Sequence, residues 1–212
     1  MATPRKLNVT FVEGDLPGRT GRLSAFVAQT PTQPDVRALS ELLTDPRLSL
    51  YRESLLSELF ASDLLATAWR TGYPPLEIAR PDVDFQGYDF VITCAAITRH
   101  VQVKASAGKA AEVDVHRALV SKPAGCVVLI LPTVSTDGTR IELSYRYFGT
   151  TAALDLAGFK PARNTLRSLG ADRKPYFKER LMHVTVAVAK FTKATTMFGL
   201  LENLFDKPPT VT

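Results

Sequence analysis

Apolar residues recur along the first half of the chain with the spacing of a helix and then with that of a strand. Between about Leu50 and Arg70 they recur every three, four or six residues, with Leu59, Leu65 and Trp69 among them, which predicts a helix packed on the rest of the protein. Gly72 is expected to end this helix, because glycine adopts a left-handed backbone without the penalty of a Cβ atom. The two prolines that follow forbid helix, and LEIA after them reads as a short strand.

The middle of the chain alternates between strand patterns and one helix pattern. Tyr88–Thr93 and Arg99–Ala105 are β-type runs joined by only a few residues, so we expect antiparallel neighbours. Glu112–Val120 reads as a helix. Cys126–Pro132 is continuously apolar, which is typical of a strand covered on both faces, and Arg140–Phe148 forms another strand. This order predicts an α/β fold with a central mixed β-sheet flanked by helices.

The two ends of the chain are predicted to carry additions to this core. Residues 6–12 and 22–28 read as the strands of an N-terminal β-hairpin, and a linker and a short helix at Asp35–Leu43 follow. Near the C-terminus, Phe177 to Phe191 contains apolar residues at helical spacing, although VTVAV within it also alternates as a strand does. We predict C-terminal helical extensions here. The expected regions are therefore 1–47, a core at 48–150, and a basic extension at 151–212.

Hydropathy and charge indicate where the protein is located and what type of partner it binds. No apolar run approaches the roughly 20 residues of a membrane helix, and the N-terminus lacks the apolar segment of a signal peptide, so we expect a cytoplasmic protein without a membrane partner. Cys94 and Cys126 lie in apolar runs and are expected to be buried thiols. The net charge is +5, and residues 151–212 contain ten Lys or Arg against five Asp or Glu, leaving 16 of each before them. This asymmetry favours a polyanionic partner.

Four polar side chains are placed as phosphodiester hydrolysis would require. Asp89 opens an apolar strand, Gln102 and Lys104 alternate on the next strand and so share one face, and Glu58 lies on the long helix. Carboxylates can hold a divalent cation, and an ammonium beside it can orient water and offset the charge of the phosphate. The same residues also fit a structural ion pair at Asp89 and a solvent-facing polar strand at Gln102 and Lys104.

The succession SELFASDLLATAWRTGY, YDFVI and VQVKAS resembles the PD-(D/E)XK, or restriction-endonuclease-like, nuclease superfamily over about Ser57 to Leu131. More narrowly, it is similar to small prokaryotic endonuclease-like families. The resemblance implies a restriction-endonuclease-like core that hydrolyses DNA with Mg²⁺ or Mn²⁺. In that pattern Asp89, Glu58 and Gln102 are the metal ligands and Lys104 is the catalytic lysine. Gln102 departs from the usual acidic residue, which leaves the site one negative charge fewer.

Several alternatives accompany this interpretation. Glu53 lies on the same predicted helix and could replace Glu58, and Asp84 is a second candidate beside Asp89. Pro81-Asp82 spells the literal PD, but no β-type run follows it directly. Because Gln102 weakens the predicted metal site, a DNA-binding or protein-interaction module that no longer cuts is the rival hypothesis. A homodimer would supply the two symmetry-related sites that cutting both strands needs.

Overall fold

The computed structural model describes residues 38–82, 86–108, 110–150, 153–166 and 176–206, which belong to a compact unit spanning Arg37–Thr212. The hairpin predicted at residues 6–12 and 22–28 lies outside these residues, as does the first part of the short helix predicted at Asp35–Leu43. In the described part, the helices are α1 (Leu39–Thr44), α2 (Ser49–Arg70) and α3 (Met197–Phe205). None of these helices combines the length and apolar character required to cross a membrane.

Helix α2 is the long helix predicted around residues 50–70. Its buried stripe runs through Leu56, Phe60, Leu64 and Ala68 at intervals of four residues, as expected for one face of a helix. Leu65 and Trp69, which we predicted to pack inward, lie on another face, where 44% and 78% of their surfaces are exposed. The spacing predicted the helix correctly but selected the wrong stripe, because two apolar rows run along it.

The strands form two sheets. They are β1 (Leu76–Ala79), β2 (Phe90–Cys94), β3 (Ile97–Ala105), β4 (Glu112–His116), β5 (Gly125–Val134), β6 (Ile141–Gly149), β7 (Pro161–Leu166), β8 (Tyr176–Ala187) and β9 (Thr192–Ala194). The main sheet has the order β1-β2-β3-β5-β6-β9, in which β3 and β5 are parallel and the other pairs antiparallel. The predicted mixed α/β architecture is confirmed, including the antiparallel β2 and β3.

Strand β5 lies between two apolar clusters, as its continuous apolar sequence predicted. Cys126, Val128 and Ile130 belong to the cluster that contains α2 and α3 residues. Val127 and Leu129 point the other way, into a cluster with β4 and β8. Both cysteines are buried free thiols, which confirms that prediction. The main sheet therefore separates a helical layer from the smaller sheet, whose order is β4-β8-β7.

The helix predicted at Glu112–Val120 is wrong. The structure has strand β4 over Glu112–His116 and then a short 3₁₀ turn at Arg117–Ser121. In EVDVH the valines Val113 and Val115 are buried while their neighbours are not, which is the two-residue period of a strand. The 3₁₀ turn that follows continues this short apolar pattern, so the sequence of the whole segment resembled that of a helix.

The helix predicted across Phe177 to Phe191 is also wrong, because this segment contains most of β8. Val184 and Val186 are buried, whereas 70% of the surface of Leu181 is exposed, so the alternating pattern describes the segment and the helical spacing does not. Valine and threonine also favour strands, since branching at Cβ restricts their rotamers in a helix. A C-terminal helix does follow, as α3.

Candidate active site

A cleft of about 240 Å³ opens between α2 and the neighbouring ends of β2 and β3. Antiparallel pairing brings these strand ends together, since Phe90 at the start of β2 faces Val101 on β3. The helix contributes residues spaced three and four apart, which lie on one helical face. The lining residues are Ser49, Arg52, Glu53, Leu56, Ser57, Asp89, Val103, Lys104 and Ala105. Two predicted site residues, Asp89 and Lys104, therefore border the same cleft.

Asp89 is fixed by the strand beside it. Its backbone N–H donates to the carbonyl oxygen of Val101 at 2.8 Å, and its Oδ2 accepts from the N–H of Val103 at 2.6 Å. A hydrogen bond from an amide to a carboxylate is stronger than one between neutral groups, so it orients the side chain. Gly87 precedes it with φ of +74°, and a Cβ at that glycine would lie 2.5 Å from the Cβ of His116.

Lys104 borders two clefts. Besides the cleft with Asp89, it lines a second one of about 370 Å³, where Glu112 and Asp114 of the small sheet are among the lining residues. Its side chain is half-buried. The positive charge of Lys104 is also one of the contributions that lower the pKa of His183. Lys104 therefore lies where the main sheet meets the small sheet.

Gln102 shares its face of β3 with Lys104, but its amide is already engaged. Only 5% of its surface is exposed, and its Oε1 accepts a hydrogen bond from the backbone N–H of His116 at 3.1 Å. It does not line the cleft that contains Asp89. This contact joins β3 to β4, so Gln102 has a structural role here whatever else it does.

Glu58, the predicted helix carboxylate, does not line the cleft either. It forms an ion pair with Arg80, and this hydrogen bond lowers the pKa of Glu58 below its usual value. Glu53, the alternative carboxylate on the same helix, does line the cleft. The two residues are five positions apart, which turns them about 140° from each other around the helix. Asp82 is not among the lining residues, and Asp84 lies outside the described residues.

Two histidines and an ion pair join β4 to β8. The rings of His116 and His183 meet edge to face with centroids 4.8 Å apart. Arg180 donates to Oδ2 of Asp114 and to Nε2 of His183, each at 3.0 Å. The pKa of His183 is lowered, chiefly by burial and next by the charge of Arg180. Sequence reasoning missed this cluster because it read both strands as helices.

Arg52 also lines the cleft and was not predicted from the sequence. A signal was available, since Arg52 and Glu53 follow Ser49 by three and four residues and Ser57 follows Glu53 by four along the predicted helix. Such spacing indicates a polar stripe beside the apolar one. The resemblance implies Glu58 as the helix residue of the site, and it does not indicate this polar stripe.

The lining residues can be compared with what a divalent cation requires. Magnesium commonly takes one or two protein carboxylates and fills its other positions with water or substrate oxygens. Glu53 and Asp89 supply two carboxylates to one cleft. In the described ranges there is no group of three or more His, Cys, Asp or Glu side chains that could hold a metal. The residues therefore fit a lightly ligated, water-rich Mg²⁺ site and do not fit a fully enclosed one.

The fold and the cleft together define an α/β layer protein with carboxylates and a lysine where β2 and β3 meet the long helix. No protein-family model matches the chain, and no curated protein is similar to it. Among solved structures, the chain is similar to Hjc, a Holliday junction resolvase of Archaeoglobus fulgidus, with a TM-score of 0.34 and 13% identity, covering 63% of this chain and 85% of that one. Similarity at this level gives no information about activity, which has to be inferred from the residues that line the cleft of this chain.

Proposed function

We propose that this protein is a metal-dependent nuclease that hydrolyses phosphodiester bonds of DNA. The observation that carries the proposal is that Asp89, Glu53 and Lys104 all line one cleft beside α2 and β3. Two carboxylates and an ammonium are the groups that such hydrolysis requires from a protein, since they offset charge and organise water at the phosphate. The sequence pattern around Asp89 and Lys104 supports the same assignment.

The cleft residues have separate roles in this proposal. Asp89 and Glu53 hold the cation, which when bound would neutralise charge on the phosphate and activate the attacking water. The N–H of Val103 keeps the Asp89 carboxylate oriented toward the cleft. Lys104 contributes a positive charge beside the phosphate and orients the water. The resemblance also implies Gln102 and Glu58 as metal ligands, and this stays a prediction that mutagenesis can test.

The basic C-terminal third is part of the argument for a nucleic-acid partner. The ten cations between residues 151 and 212 exceed the acids there by five. Some of them are paired, because Arg163 forms an ion pair with Glu179 and Arg180 with Asp114. The remaining excess favours contacts with backbone phosphates, which supply affinity without sequence choice. A homodimer and a cytoplasmic location belong to the same proposal.

A second candidate function is DNA binding without cleavage. Two observations favour it: the amide of Gln102 serves as a structural acceptor, and the described residues contain no group of three acids, histidines or cysteines that could hold a metal ion. A cation held by only two carboxylates dissociates more readily than one held by three. The protein would then retain the cleft as a surface for DNA.

The proposal is tested by incubating the purified protein with supercoiled plasmid and Mg²⁺ or Mn²⁺. Asp89→Asn keeps an oxygen for the Val103 N–H and removes the charge, and Lys104→Met keeps the length of the side chain. We expect each variant to cut at least about 100-fold more slowly than wild type while retaining its thermal unfolding transition. Cleavage at the wild-type rate by both variants would contradict the proposal. Wild-type protein that binds plasmid without cutting it would establish the second candidate.

A further inference from the structure

Arg52 is a second cationic residue that lines the cleft. It lies beside Glu53 on α2 and lines the cleft together with Asp89 and Lys104. Its Nη1 donates to two backbone carbonyls, those of Leu42 at 2.9 Å and Asp45 at 3.1 Å. Both acceptors lie where α1 ends, so the partly buried guanidinium is fixed in position before any ligand arrives.

These contacts orient Arg52 without neutralising it. A backbone carbonyl carries no net charge, so the guanidinium keeps its full positive charge. The nearby carboxylate of Asp45 is engaged by Arg47, whose Nη2 and Nε bond to it at 2.7 and 3.1 Å. Those hydrogen bonds lower the pKa of Asp45 to about 2. The acid closest in sequence to this end of α1 is therefore hydrogen-bonded to Arg47, and the charge of Arg52 is the smallest of the contributions that lower its pKa.

The donor arithmetic leaves groups for a ligand. A guanidinium has five N–H donors in a rigid fork, and the two carbonyl contacts use those of Nη1. The three donors on Nε and Nη2 can serve an anion with paired oxygens. Phosphate is the anion that such a fork matches, because two parallel N–H bonds reach two of its oxygens.

We propose that Arg52 binds two non-bridging oxygens of one phosphate of the nucleic-acid backbone and so positions the substrate strand along the α1 and α2 side of the cleft. This inference rests on the proposed function only in taking a nucleic acid as the ligand. Arg52 contacts the backbone, so it contributes equally for every base sequence. Lys104 serves the phosphate that reacts, and Arg52 holds the strand that carries it.

A purely structural role for Arg52 is the competing explanation, since its two hydrogen bonds join α1 to α2. The variants must therefore separate charge from hydrogen bonding. Arg52→Gln removes the charge and puts in place of the guanidinium an amide that ends two bonds short of Nη1, so its unfolding temperature is measured to register the loss of the contact with Leu42. Arg52→Lys retains the charge but loses the planar fork. Arg140→Gln is the matched control, because Arg140 is an exposed arginine that pairs with Glu142 and does not line the cleft.

The experiment measures binding of a fluorescein-labelled DNA duplex by anisotropy in EDTA, so that no cleavage occurs. Affinity is followed between about 50 and about 300 mM salt, and the slope of log K against log salt counts the phosphates that the protein neutralises. For Arg52→Gln we expect this slope to become shallower by about 0.9, to the same extent on two duplexes of unrelated sequence. For Arg52→Lys we expect a wild-type slope with weaker affinity, and for Arg140→Gln no change.

Several results would overturn the inference. They are a wild-type slope for Arg52→Gln, an equal loss of slope in Arg140→Gln, or wild-type affinity in Arg52→Lys together with a lowered unfolding temperature. If Arg52→Gln does not fold, the affinity of Arg52→Lys decides the question alone. Failure here is distinguishable from failure of the proposed function: wild-type protein that binds and cuts while Arg52→Gln keeps its slope rejects only the role of Arg52, and wild-type protein that binds with no metal-dependent cleavage rejects only the nuclease.

Discussion

Gly87 illustrates how a single backbone position supports Asp89 two residues later. Its φ is +74°, and a Cβ there would lie 2.5 Å from the side chain of His116. We expect Gly87→Ala to lower the free energy of unfolding by about 1–3 kcal/mol beyond the cost of the φ angle, since the added methyl group overpacks a filled site. Gly138→Ala is the control, because Gly138 has φ of +73° with nothing within 4 Å of the added atom. Urea unfolding of both variants measures the difference, and equal losses would show that the contact with His116 costs nothing.

The choice between Glu53 and Glu58 can be settled at the level of one carboxylate. We expect Glu53→Gln to weaken Mn²⁺ binding and cleavage, because Glu53 lines the cleft with Asp89. Glu58→Gln should change neither, since it removes only an exposed ion pair with Arg80, and such pairs contribute little. Calorimetric titration with Mn²⁺ and the plasmid assay provide the two measurements. The reverse pattern would restore Glu58 as the ligand.

Gln102 should prove important to stability rather than to metal binding. Gln102→Leu removes the acceptor of the His116 N–H, and loss of a partner for a partly buried amide costs about 1–3 kcal/mol. We expect that decrease in the free energy of unfolding, with Mn²⁺ affinity close to wild type. Loss of Mn²⁺ affinity with unchanged stability would instead identify Gln102 as a ligand.

For single residues, the sequence indicates which side chains share a face of a strand. It does not indicate which face of a helix packs against the sheet. Strand alternation placed Gln102 and Lys104 on one face, and the pairing of β2 with β3 put Lys104 and Asp89 beside the same cleft. The rotation of α2 depends on which apolar stripe faces the sheet. The sequence pattern favoured Glu58, whereas Glu53 is the helix carboxylate that lines the cleft with Asp89.

Among the elements, the contact between β4 and β8 is expected to depend on pH. His183 faces Arg180, His116, Lys104 and Asp114, and its pKa is lowered from the ordinary value of 6.5, chiefly by burial. The unfolded chain therefore binds the proton more readily, so stability that is complete above 6.5 is lost as pH falls through 6.5 toward the lower folded pKa.

His183→Gln tests this dependence, because glutamine can still accept from Arg180 but does not titrate. We expect wild type to lose more stability than His183→Gln when urea unfolding at about pH 7.5 is compared with about pH 5.5. An equal loss in the two proteins would assign the acid sensitivity to other groups. Arg180→Gln is unsuitable as a control, since it also breaks the ion pair with Asp114.

The sequence predicted the main sheet far better than the small one. The runs that became β2, β3, β5 and β6 are rich in branched apolar residues, and most have clear turns at their ends. The small sheet contains β4, whose pattern covers only five residues, β8, where apolar residues satisfy both periods, and β7, which the sequence did not predict. What decides such segments is a partner distant in the chain, as in the pairing of Val115 with Val184, and local spacing contains no information about it.

In the whole molecule, the cleft and the excess of positive charge come from different parts of the chain. The cleft belongs to residues between Ser49 and Ala105, whereas the excess of positive charge belongs to residues 151–212. Strand β9 adds Thr192–Ala194 to the main sheet beside β6, so the basic third takes part in the same sheet. The cleft and the cations of residues 151–212 therefore belong to one folded unit. A nucleic acid whose backbone binds at the cleft would meet cations of the same unit.

The exposed position of Trp69 gives the molecule an unusual optical property. It is the one tryptophan in the chain, and 78% of its surface is open to solvent. Its fluorescence should therefore have the emission of a hydrated indole already in the native state. In urea we expect the emission maximum to shift little while far-ultraviolet circular dichroism records the loss of the sheets.

A blue-shifted native emission would contradict this expectation. If that shift grew with protein concentration, the indole would be reporting association between copies of the chain. With an exposed indole, tryptophan emission becomes a sensor of whatever contacts this face of α2, and the tyrosines buried in the core, Tyr145 and Tyr147, become the optical probes of unfolding.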